Sequence, residues 1–208
     1  LQSSAAEDAE ARHLFLSMME KEAARMNRLV QDLLSLSRVE NEATRNPEDL
    51  DICRIISEAA DTLYEQANER GVRLKLVGCD RPVSLLGDPE QLKTVLLNLI
   101  ENAIKYGATQ RGVDVSVSRD SRRARIELAV TDYGVGIDAE HLPRLTERFY
   151  RVSVQESRSG GGTGLGLAIV KHIALRHRGN LDIISRKGEG SIFKLSLPVS
   201  SELAKAAE

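Results

Sequence analysis

The stretch that decides the fold is residues 88–106, which read DPEQLKTVLLNLIENAIKY. Asp88 is a good N-cap residue, Pro89 suits the first turn of a helix, and Gln91 follows the cap by three residues. These signals predict a helix that begins here and continues to about Tyr106. Its apolar residues recur at helical spacing, so one side is expected to face a core.

The other side of this predicted helix carries chemistry. At about 100° per residue, one arc collects two amides, a carboxylate and an ammonium group. These residues are Asn98, Glu101, Asn102 and Lys105. Amide and carboxylate oxygens suit Mg²⁺, and a lysine suits phosphate. On this segment alone, a solvated helix face is the simpler explanation.

A second candidate segment is residues 132–137, DYGVGI, which follow a predicted strand over 126–130. Asp132 has the same parity as the apolar residues of that strand, so its carboxylate is expected on the core side. A buried carboxylate is costly without a partner, and the exocyclic amine of adenine is one donor that could satisfy it. Gly134 and Gly136 would let the backbone approach a flat ring or adopt positive φ. Taken alone, the segment is equally consistent with a simple turn.

The third segment is residues 160–167, GGGTGLGL, which run into a predicted helix over 163–177. Glycines leave several backbone N–H groups free to point at anions, and a helix N-terminus adds its positive end. The segment lacks the Gly-Lys-Ser/Thr ending of a Walker loop, and no strand precedes it as in a dinucleotide-binding motif. It is weak evidence alone but strong evidence together with the other two.

Around these segments the chain shows an α+β organisation. Residues 1–45 predict one long helix with an apolar seam of period 3.5, a turn over 3–8, and a solvated face that includes Arg28 and Asp32. The polar stretch 41–49 predicts a domain boundary. The remaining elements are predicted as a helix over 52–70, strands over 72–77, 83–86, 113–117, 126–130, 181–185 and 192–197, and a frayed tail from 200.

Composition excludes several classes of protein. The chain has 208 residues, a net charge of −2, 3% aromatic residues and no Trp, which disfavours a dedicated nucleic-acid binder. Its two cysteines, Cys53 and Cys79, fit neither a metal spacing nor a disulfide framework, which indicates a reducing compartment. No apolar run approaches the ~20 residues of a membrane span.

In this order, the three segments resemble the N, G1 and G2 boxes of the ATP-binding domain of sensor histidine kinases, within the superfamily of type II topoisomerase, Hsp90 and MutL ATPases. Residues 142–152 resemble the F box, and residues 28–38 resemble the second helix of the dimerisation and phosphotransfer hairpin. The resemblance spans residues 9–198 and is nearest to phosphate-responsive sensors. It implies a Bergerat-type α/β sandwich over 46–200, preceded over 1–45 by the C-terminal part of the hairpin and followed by a tail over 201–208.

The resemblance also implies roles for the residues of the first segment. Asn102 would hold Mg²⁺ between the ATP phosphates, and Asn98 would support that site. Glu101 would orient or deprotonate the accepting histidine. Lys105 would contact phosphate, and Tyr106 would line the nucleotide.

The other segments complete the implied nucleotide site. Asp132 would accept a hydrogen bond from the adenine amine, and residues 138–162 would form a mobile ATP lid. Arg148 and Arg151 would reach the γ-phosphate or the partner helix, or would only solubilise the lid. The remaining implied nucleotide-binding residues are Gly134, Gly136, Ile137, Tyr150, Gly162, Thr163, Gly164, Leu165, Gly166 and Leu167.

One departure from the family concerns the phosphoryl acceptor. No His-Glu-Leu-Arg-Thr-Pro box occurs, and His13, His141, His172 and His177 are expected to be structural or solvated. The chain is therefore expected to begin after the acceptor, to bind ATP and Mg²⁺, and not to phosphorylate itself alone.

The expected context is the cytoplasmic domain of a membrane-anchored sensor protein. Its implied partners are a cognate response regulator and, in the full-length protein, a second copy, with no direct nucleic-acid binding. Three alternatives remain open: a nucleotide-driven ATPase clamp, a serine kinase that restrains a sigma factor, and a binding module that only senses nucleotide. The upstream helix and residues 149–151 favour the histidine kinase over the clamp.

Overall fold

The structure is a computed structural model that describes residues 2–41, 47–108, 111–152 and 162–199. Helix α1 spans Gln2–Asn41 without interruption. The predicted turn over residues 3–8 is therefore wrong: that segment contains neither proline nor glycine, and its alanines and glutamate are strong helix formers. The predicted tail over 201–208, the boundary residues 42–46 and lid residues 153–161 lie outside the described residues.

After α1 the chain alternates between helices and strands. The predicted helix over 52–70 is broken at Leu63, whose N–H is shared between the carbonyls of Ala59 and Ala60. The elements are β1 (Glu48–Asp51), α2 (Ile52–Thr62), α3 (Tyr64–Glu69), β2 (Leu74–Val77), β3 (Ser84–Gly87), α4 (Pro89–Tyr106), β4 (Val113–Asp120), β5 (Arg125–Asp132), a 3₁₀ turn (Leu142–Arg144), α5 (Gly166–Arg176), β6 (Asn180–Arg186) and β7 (Gly190–Pro198).

Five strands form the main sheet, in the order β2-β4-β5-β7-β6. β2 and β4 are parallel, whereas the other neighbours are antiparallel. β1 pairs antiparallel with β3 in a separate two-stranded sheet and was not predicted. Its sequence, Glu-Asp-Leu-Asp, carries no local strand pattern, so it depends on pairing with β3. The predicted α+β class is confirmed.

The core lies between the main sheet and helices α2, α4 and α5. Residues such as Ile56, Leu96, Leu99 and Ile169 are fully buried there. The C-terminal end of α1 joins this core through Leu36 and Val39. Farther toward the N-terminus the α1 seam is exposed: Met19, Met26 and Val30 are each at least half accessible. Dimerisation through this seam remains a prediction.

The start of α4 is fixed by a local cap and by a contact with a residue that is distant in sequence. The Asp88 carboxylate accepts hydrogen bonds from the N–H groups of Glu90 and Gln91, at 3.0 and 3.1 Å. The Asp88 N–H donates to Nε2 of His177, which follows α5, at 3.0 Å. His177 is buried, and its Nδ1 bonds to the Ile173 carbonyl. It is therefore structural, as predicted, and joins the beginning of α4 to the end of α5.

No helix within the described ranges combines the length and the apolar character needed to cross a bilayer.

Candidate functional site

A cavity of about 340 Å³ lies between α4, the turn after β5 and the beginning of α5. Most of the predicted site residues border it. They are Asn98, Glu101, Asn102, Lys105, Tyr106, Asp132, Gly136, Ile137, Tyr150, Arg151, Gly162, Thr163, Gly164, Gly166 and Leu167. The three separated segments therefore meet around one space.

The polar face of α4 forms one wall of the cavity. Asn98 is held by its side-chain amide, which donates to the Thr94 carbonyl at 2.8 Å. The ammonium of Lys105 lies 4.8 Å from the centre of the Tyr106 ring, a cation–π contact. Glu101 is exposed, whereas Asn102 is half-buried. Two amides, one carboxylate and one ammonium thus face the same space.

Asp132 also lines the cavity, at the end of β5. The side chains of this strand alternate between half-buried and buried, which confirms that Asp132 shares the parity of the apolar residues. Its carboxylate accepts a hydrogen bond from the Gly134 N–H at 2.9 Å and further bonds from Ser191 on β7. Burial nevertheless raises the pKa of the Asp132 carboxyl above its usual value. Desolvation thus outweighs these hydrogen bonds, and a further donor entering the cavity would stabilise the ionised group.

The glycines after Asp132 contact protein rather than open space. A Cβ on Gly134 would lie 1.8 Å from the Tyr106 carbonyl oxygen, and Gly134 does not line the cavity. Gly136 has φ of +63°, and its Cβ would lie 2.0 Å from the Arg186 carbonyl oxygen. These glycines allow the turn to pack against the end of α4 and against β6. Gly134 thus serves the packing of this turn on α4, and its expected contact with a bound ring stays a prediction.

The glycine-rich segment forms the rim beside the polar face of α4. A Cβ on Gly166 would lie 2.4 Å from Oδ1 of Asn98, and one on Gly162 would lie 3.0 Å from the Lys105 ammonium. Gly164 has φ of +76°, and its carbonyl accepts a hydrogen bond from the Phe149 N–H at 2.9 Å. Leu165 differs from its neighbours because its side chain is fully buried in the core and does not reach the cavity.

The two predicted arginines occupy different places. Arg151 lines the cavity and donates to the Gly162 carbonyl. Arg148 does not line it and instead pairs with Glu40 of α1. The hydroxyl of Tyr150, which lines the cavity, lies 2.8 Å from Nδ1 of His141, and the Arg144 guanidinium lies over its ring at 4.2 Å.

Helix α1 contributes to the site, which was not predicted. Arg28, Gln31 and Asp32 line the cavity, and the Asp32 carboxylate accepts a hydrogen bond from the Thr163 hydroxyl. The sequence places these three residues on one turn of the polar face of α1, and nothing in that pattern separates a cavity wall from a solvated face. Arg28 and Asp32, which were expected on a solvated face, therefore also line the cavity.

β7 and residues within 135–152 supply further cavity residues that were not predicted. Ser191 on β7 pairs with Asp132, and Phe193 pairs with Val130. A strand over 192–197 was predicted, but not its place next to β5. The remaining additional lining residues are Val135, Leu145 and Val152.

The donor set on α4 fits a magnesium ion that is held mainly by its ligand. Within the described part of the chain, no cluster of three or more His, Cys, Asp or Glu side chains could hold a metal. Asn98, Glu101 and Asn102 nevertheless bring two amide oxygens and a carboxylate to the cavity. Because Mg²⁺ in nucleotide sites is bound by one or two protein oxygens together with phosphates and waters, this set is sufficient.

Comparison with known proteins points to one family. Residues 87–201 match the model of the histidine kinase-, DNA gyrase B-, and HSP90-like ATPases. The sensor-like histidine kinase SenX3 of Mycobacterium tuberculosis is 42% identical over 200 residues, which cover 95% of this chain and 48% of that protein. The phosphate regulon sensor protein PhoR of Pseudomonas aeruginosa is 39% identical over 181 residues, which cover 86% of this chain and 40% of that protein. The chain thus spans about half the length of these curated relatives or less.

Solved structures agree with the sequence matches. Full-length ShkA in complex with AMPPNP has a TM-score of 0.72 at 28% identity, over 86% of this chain and 37% of that one. The mycobacterial sensor histidine kinase MprB has a TM-score of 0.63 at 26% identity, over 74% of this chain and 97% of that one.

Proposed function

We propose that this chain, which belongs to the family of histidine kinase-, DNA gyrase B-, and HSP90-like ATPases, binds Mg-ATP in the cavity. There it transfers the γ-phosphoryl group to a histidine. The chain is the ATP-binding catalytic core of a sensor histidine kinase. The observation that carries the proposal is the position of the Asp132 carboxylate, which is buried and lines the same cavity as Asn102 and Lys105.

The adenine ring binds at the Asp132 end. There the carboxylate accepts a hydrogen bond from the exocyclic amine, which adds one more donor to a buried ion. Ile137 and Phe193 present apolar surface on which a flat ring can pack. An adenine has both features, whereas a guanine carries a carbonyl oxygen at the corresponding position, which Asp132 would repel.

The phosphates lie toward the glycine-rich rim. Lys105 and Arg151 supply positive charge there, and the N-terminus of α5 supplies backbone N–H groups with the positive end of the helix dipole. Gly162 keeps a side chain away from the Lys105 ammonium, whereas Gly164 lets the segment pack on the backbone of Phe149. Leu165 anchors the rim in the core and takes no part in contacting the nucleotide.

Magnesium is held by Asn102, with Asn98 and Glu101 close on the same helix face. The ion supplies charge neutralisation for the phosphate oxygens when it is bound. The Asn98 amide nitrogen is already engaged with the Thr94 carbonyl, so its oxygen is the atom that would be available to support the ion. Asn98 thereby keeps one fixed orientation next to the start of α5.

Glu101 acts on the accepting histidine rather than on ATP. Its carboxylate is exposed at the mouth of the cavity, where an incoming imidazole can reach it. An accepted hydrogen bond from the imidazole N–H would orient the ring and take up its proton during transfer. Phosphoryl transfer needs positioning and charge stabilisation more than covalent protein chemistry, so this inventory is sufficient.

The parent protein is proposed to be a membrane-anchored sensor that acts as a homodimer and passes the phosphoryl group to a response regulator. The proposal rests on the sensor kinases that the chain resembles. It is supported by the contacts of α1, because a helix that lines the cavity through Arg28 and Asp32 would bring its hairpin partner near the γ-phosphate.

The test is transfer to a supplied acceptor. This chain is incubated with radiolabelled ATP and with a longer chain that includes the first hairpin helix but carries Asp132→Asn, so that the longer chain accepts but does not bind nucleotide well. Acid-labile label is expected on the longer chain only. The matched control replaces its acceptor histidine with glutamine and should remove the label. Release of phosphate without any labelled protein would contradict the proposal and favour the ATPase clamp.

A further inference from the structure

Helix α1 docks on the rest of the molecule through one stripe of side chains near its C-terminal end. The members of the stripe follow each other at steps of three and four residues, so they share one face of the helix. They are Leu29, Asp32, Leu36 and Val39. The three apolar members belong to the core or pack against it. Asp32 is the one charged member of the stripe and is half-buried.

The Asp32 carboxylate bonds to the glycine-rich rim of the cavity. It accepts a hydrogen bond from the Thr163 hydroxyl, whose oxygen in turn accepts the Leu165 N–H at 3.3 Å. Leu165 is the N-cap residue of α5. A negative charge carried by α1 is thus bonded, through one hydroxyl, to the beginning of α5, where the helix dipole favours an anion.

The same rim carries the cationic groups proposed to contact the phosphates. Asp32 lines the cavity together with Lys105, Arg151, Gly162 and Thr163. A Cβ on Gly162 would lie 3.0 Å from the Lys105 ammonium, and the carbonyl of this glycine accepts a hydrogen bond from Arg151. Because Thr163 directly follows Gly162, the Asp32 carboxylate brings its negative charge to the end of the cavity at which a phosphate chain would bind.

A carboxylate at position 32 is costly if docking is its only task. A leucine there would continue the apolar stripe, whereas a half-buried carboxylate loses part of its hydration. The Thr163 hydroxyl is a neutral donor, so its bond returns only part of the stabilisation that water supplied. The residue type therefore fits a contact that regulates the cavity better than a contact that only packs α1.

We propose that Asp32 is an internal competitor of the phosphates of ATP: its carboxylate holds the Thr163 hydroxyl, and nucleotide binding must separate the two. The inference rests on the proposed function, because it takes the phosphates to bind at this rim. Like charges brought together at one site repel each other, so phosphates bind more weakly while the Asp32 carboxylate remains there. A docked α1 thereby lowers the affinity for nucleotide, and does so more strongly as the number of phosphates rises.

α1 has an anchor that does not depend on this contact. Two turns after Asp32, the Glu40 carboxylate pairs with Arg148 and lies 3.5 Å from Nε2 of His172 on α5. Because Asp32 takes no part in these two contacts, its side chain can turn away from Thr163 while the end of the helix stays docked. Nucleotide binding therefore needs a change of one side chain and not the release of α1.

The test compares Asp32→Asn with the unaltered chain, with Mg²⁺ present throughout. Isothermal titration measures the affinities for AMPPNP and ADP, and a nuclear magnetic resonance titration measures the weaker binding of adenosine. Asparagine keeps the shape of the side chain and removes its charge, so AMPPNP should bind about tenfold tighter to the variant, ADP by a smaller factor and adenosine equally. Glu20→Gln is the matched control: Glu20 lies on the same helix, is exposed and does not line the cavity, so all three affinities should stay unchanged.

Two further variants separate the charge of Asp32 from its packing. Asp32→Glu retains the charge and should bind AMPPNP as weakly as the unaltered chain. Asp32→Ala removes both the charge and the hydrogen bond, so it should bind AMPPNP at least as tightly as Asp32→Asn. Both uncharged variants should remain folded by circular dichroism, because the Glu40 contacts are retained.

The outcomes distinguish this inference from the proposed function. If both uncharged variants bind AMPPNP no more tightly than the unaltered chain, or if adenosine gains as much affinity as AMPPNP, the inference is overturned and the proposed function stands. Weaker binding of AMPPNP to both variants would assign Asp32 to holding the nucleotide or its ion and would likewise overturn the inference. Failure of the unaltered chain to bind any of the three ligands would overturn the proposed function and the inference with it.

Discussion

Replacing Asp132 with asparagine keeps the shape of the side chain and removes its charge. The carboxylate is buried and accepts the Gly134 N–H at 2.9 Å. If it also accepts the adenine amine, the change removes a hydrogen bond to a charged group, which is worth about 1.5–3 kcal/mol. That loss corresponds to a roughly 10- to 100-fold weaker affinity for ATP.

The same change has an opposite effect on the empty protein. Because burial raises the pKa of the Asp132 carboxyl, the folded protein binds this proton more tightly than the unfolded chain does. The contribution of Asp132 to stability therefore falls as pH rises above the usual carboxyl pKa of about 3.8 and through the raised pKa. At neutral pH the ionised group destabilises the fold. Asparagine carries no charge, so the unfolding midpoint of the ligand-free variant should not fall at pH 7.5.

Isothermal titration with AMPPNP and Mg²⁺ measures the affinity, and thermal unfolding measures the stability. Asp114→Asn is the matched control: Asp114 lies on the neighbouring strand, bonds to the Tyr133 hydroxyl at 2.7 Å and does not line the cavity. It should leave the affinity within about twofold. An unchanged affinity in a folded Asp132→Asn protein would refute the adenine assignment.

Three further predictions concern other residues. Asn102→Ala should leave binding of nucleotide without metal nearly unchanged but weaken the enhancement by Mg²⁺ about tenfold, and an unaltered metal titration would remove Asn102 from that site. Glu101→Gln should keep the affinity for Mg-ATP but slow transfer to a supplied acceptor by about 100-fold or more, whereas equal rates would exclude a role in transfer. Because burial lowers the pKa of His177, the unfolded chain binds this proton at higher pH than the folded protein, so stability should fall as pH drops below about 6.5, by at most ~1.4 kcal/mol per pH unit. Denaturant unfolding at pH 5.5 and 7.5 measures this fall; it should be reduced in His177→Gln and retained in His172→Gln, and an equal fall in both would contradict the assignment.

The sequence predicted much of the site because its residues follow local periodicity. The helical spacing of α4 and the alternation along β5 fix which way Asn102 and Asp132 point, and both lie at the cavity. Leu165 shows the limit of this argument. It lies in the middle of a glycine-rich segment, yet its side chain is fully buried, because the packing of α5 on the core decides its direction.

Other features depend on contacts between distant parts of the chain. β1 is polar and becomes a strand only through pairing with β3. Asp32 lies on a charged helix face and reaches Thr163 only because α1 docks beside α5. The predicted domain limits remain predictions.

The most direct test of the account is a crystal structure of the chain with AMPPNP and Mg²⁺. We expect the adenine amine within hydrogen-bonding distance of the Asp132 carboxylate, the phosphates beside Lys105 and Gly162, and the ion next to Asn102. A nucleotide bound outside the cavity, or bound in it with the adenine ring away from Asp132, would contradict this assignment.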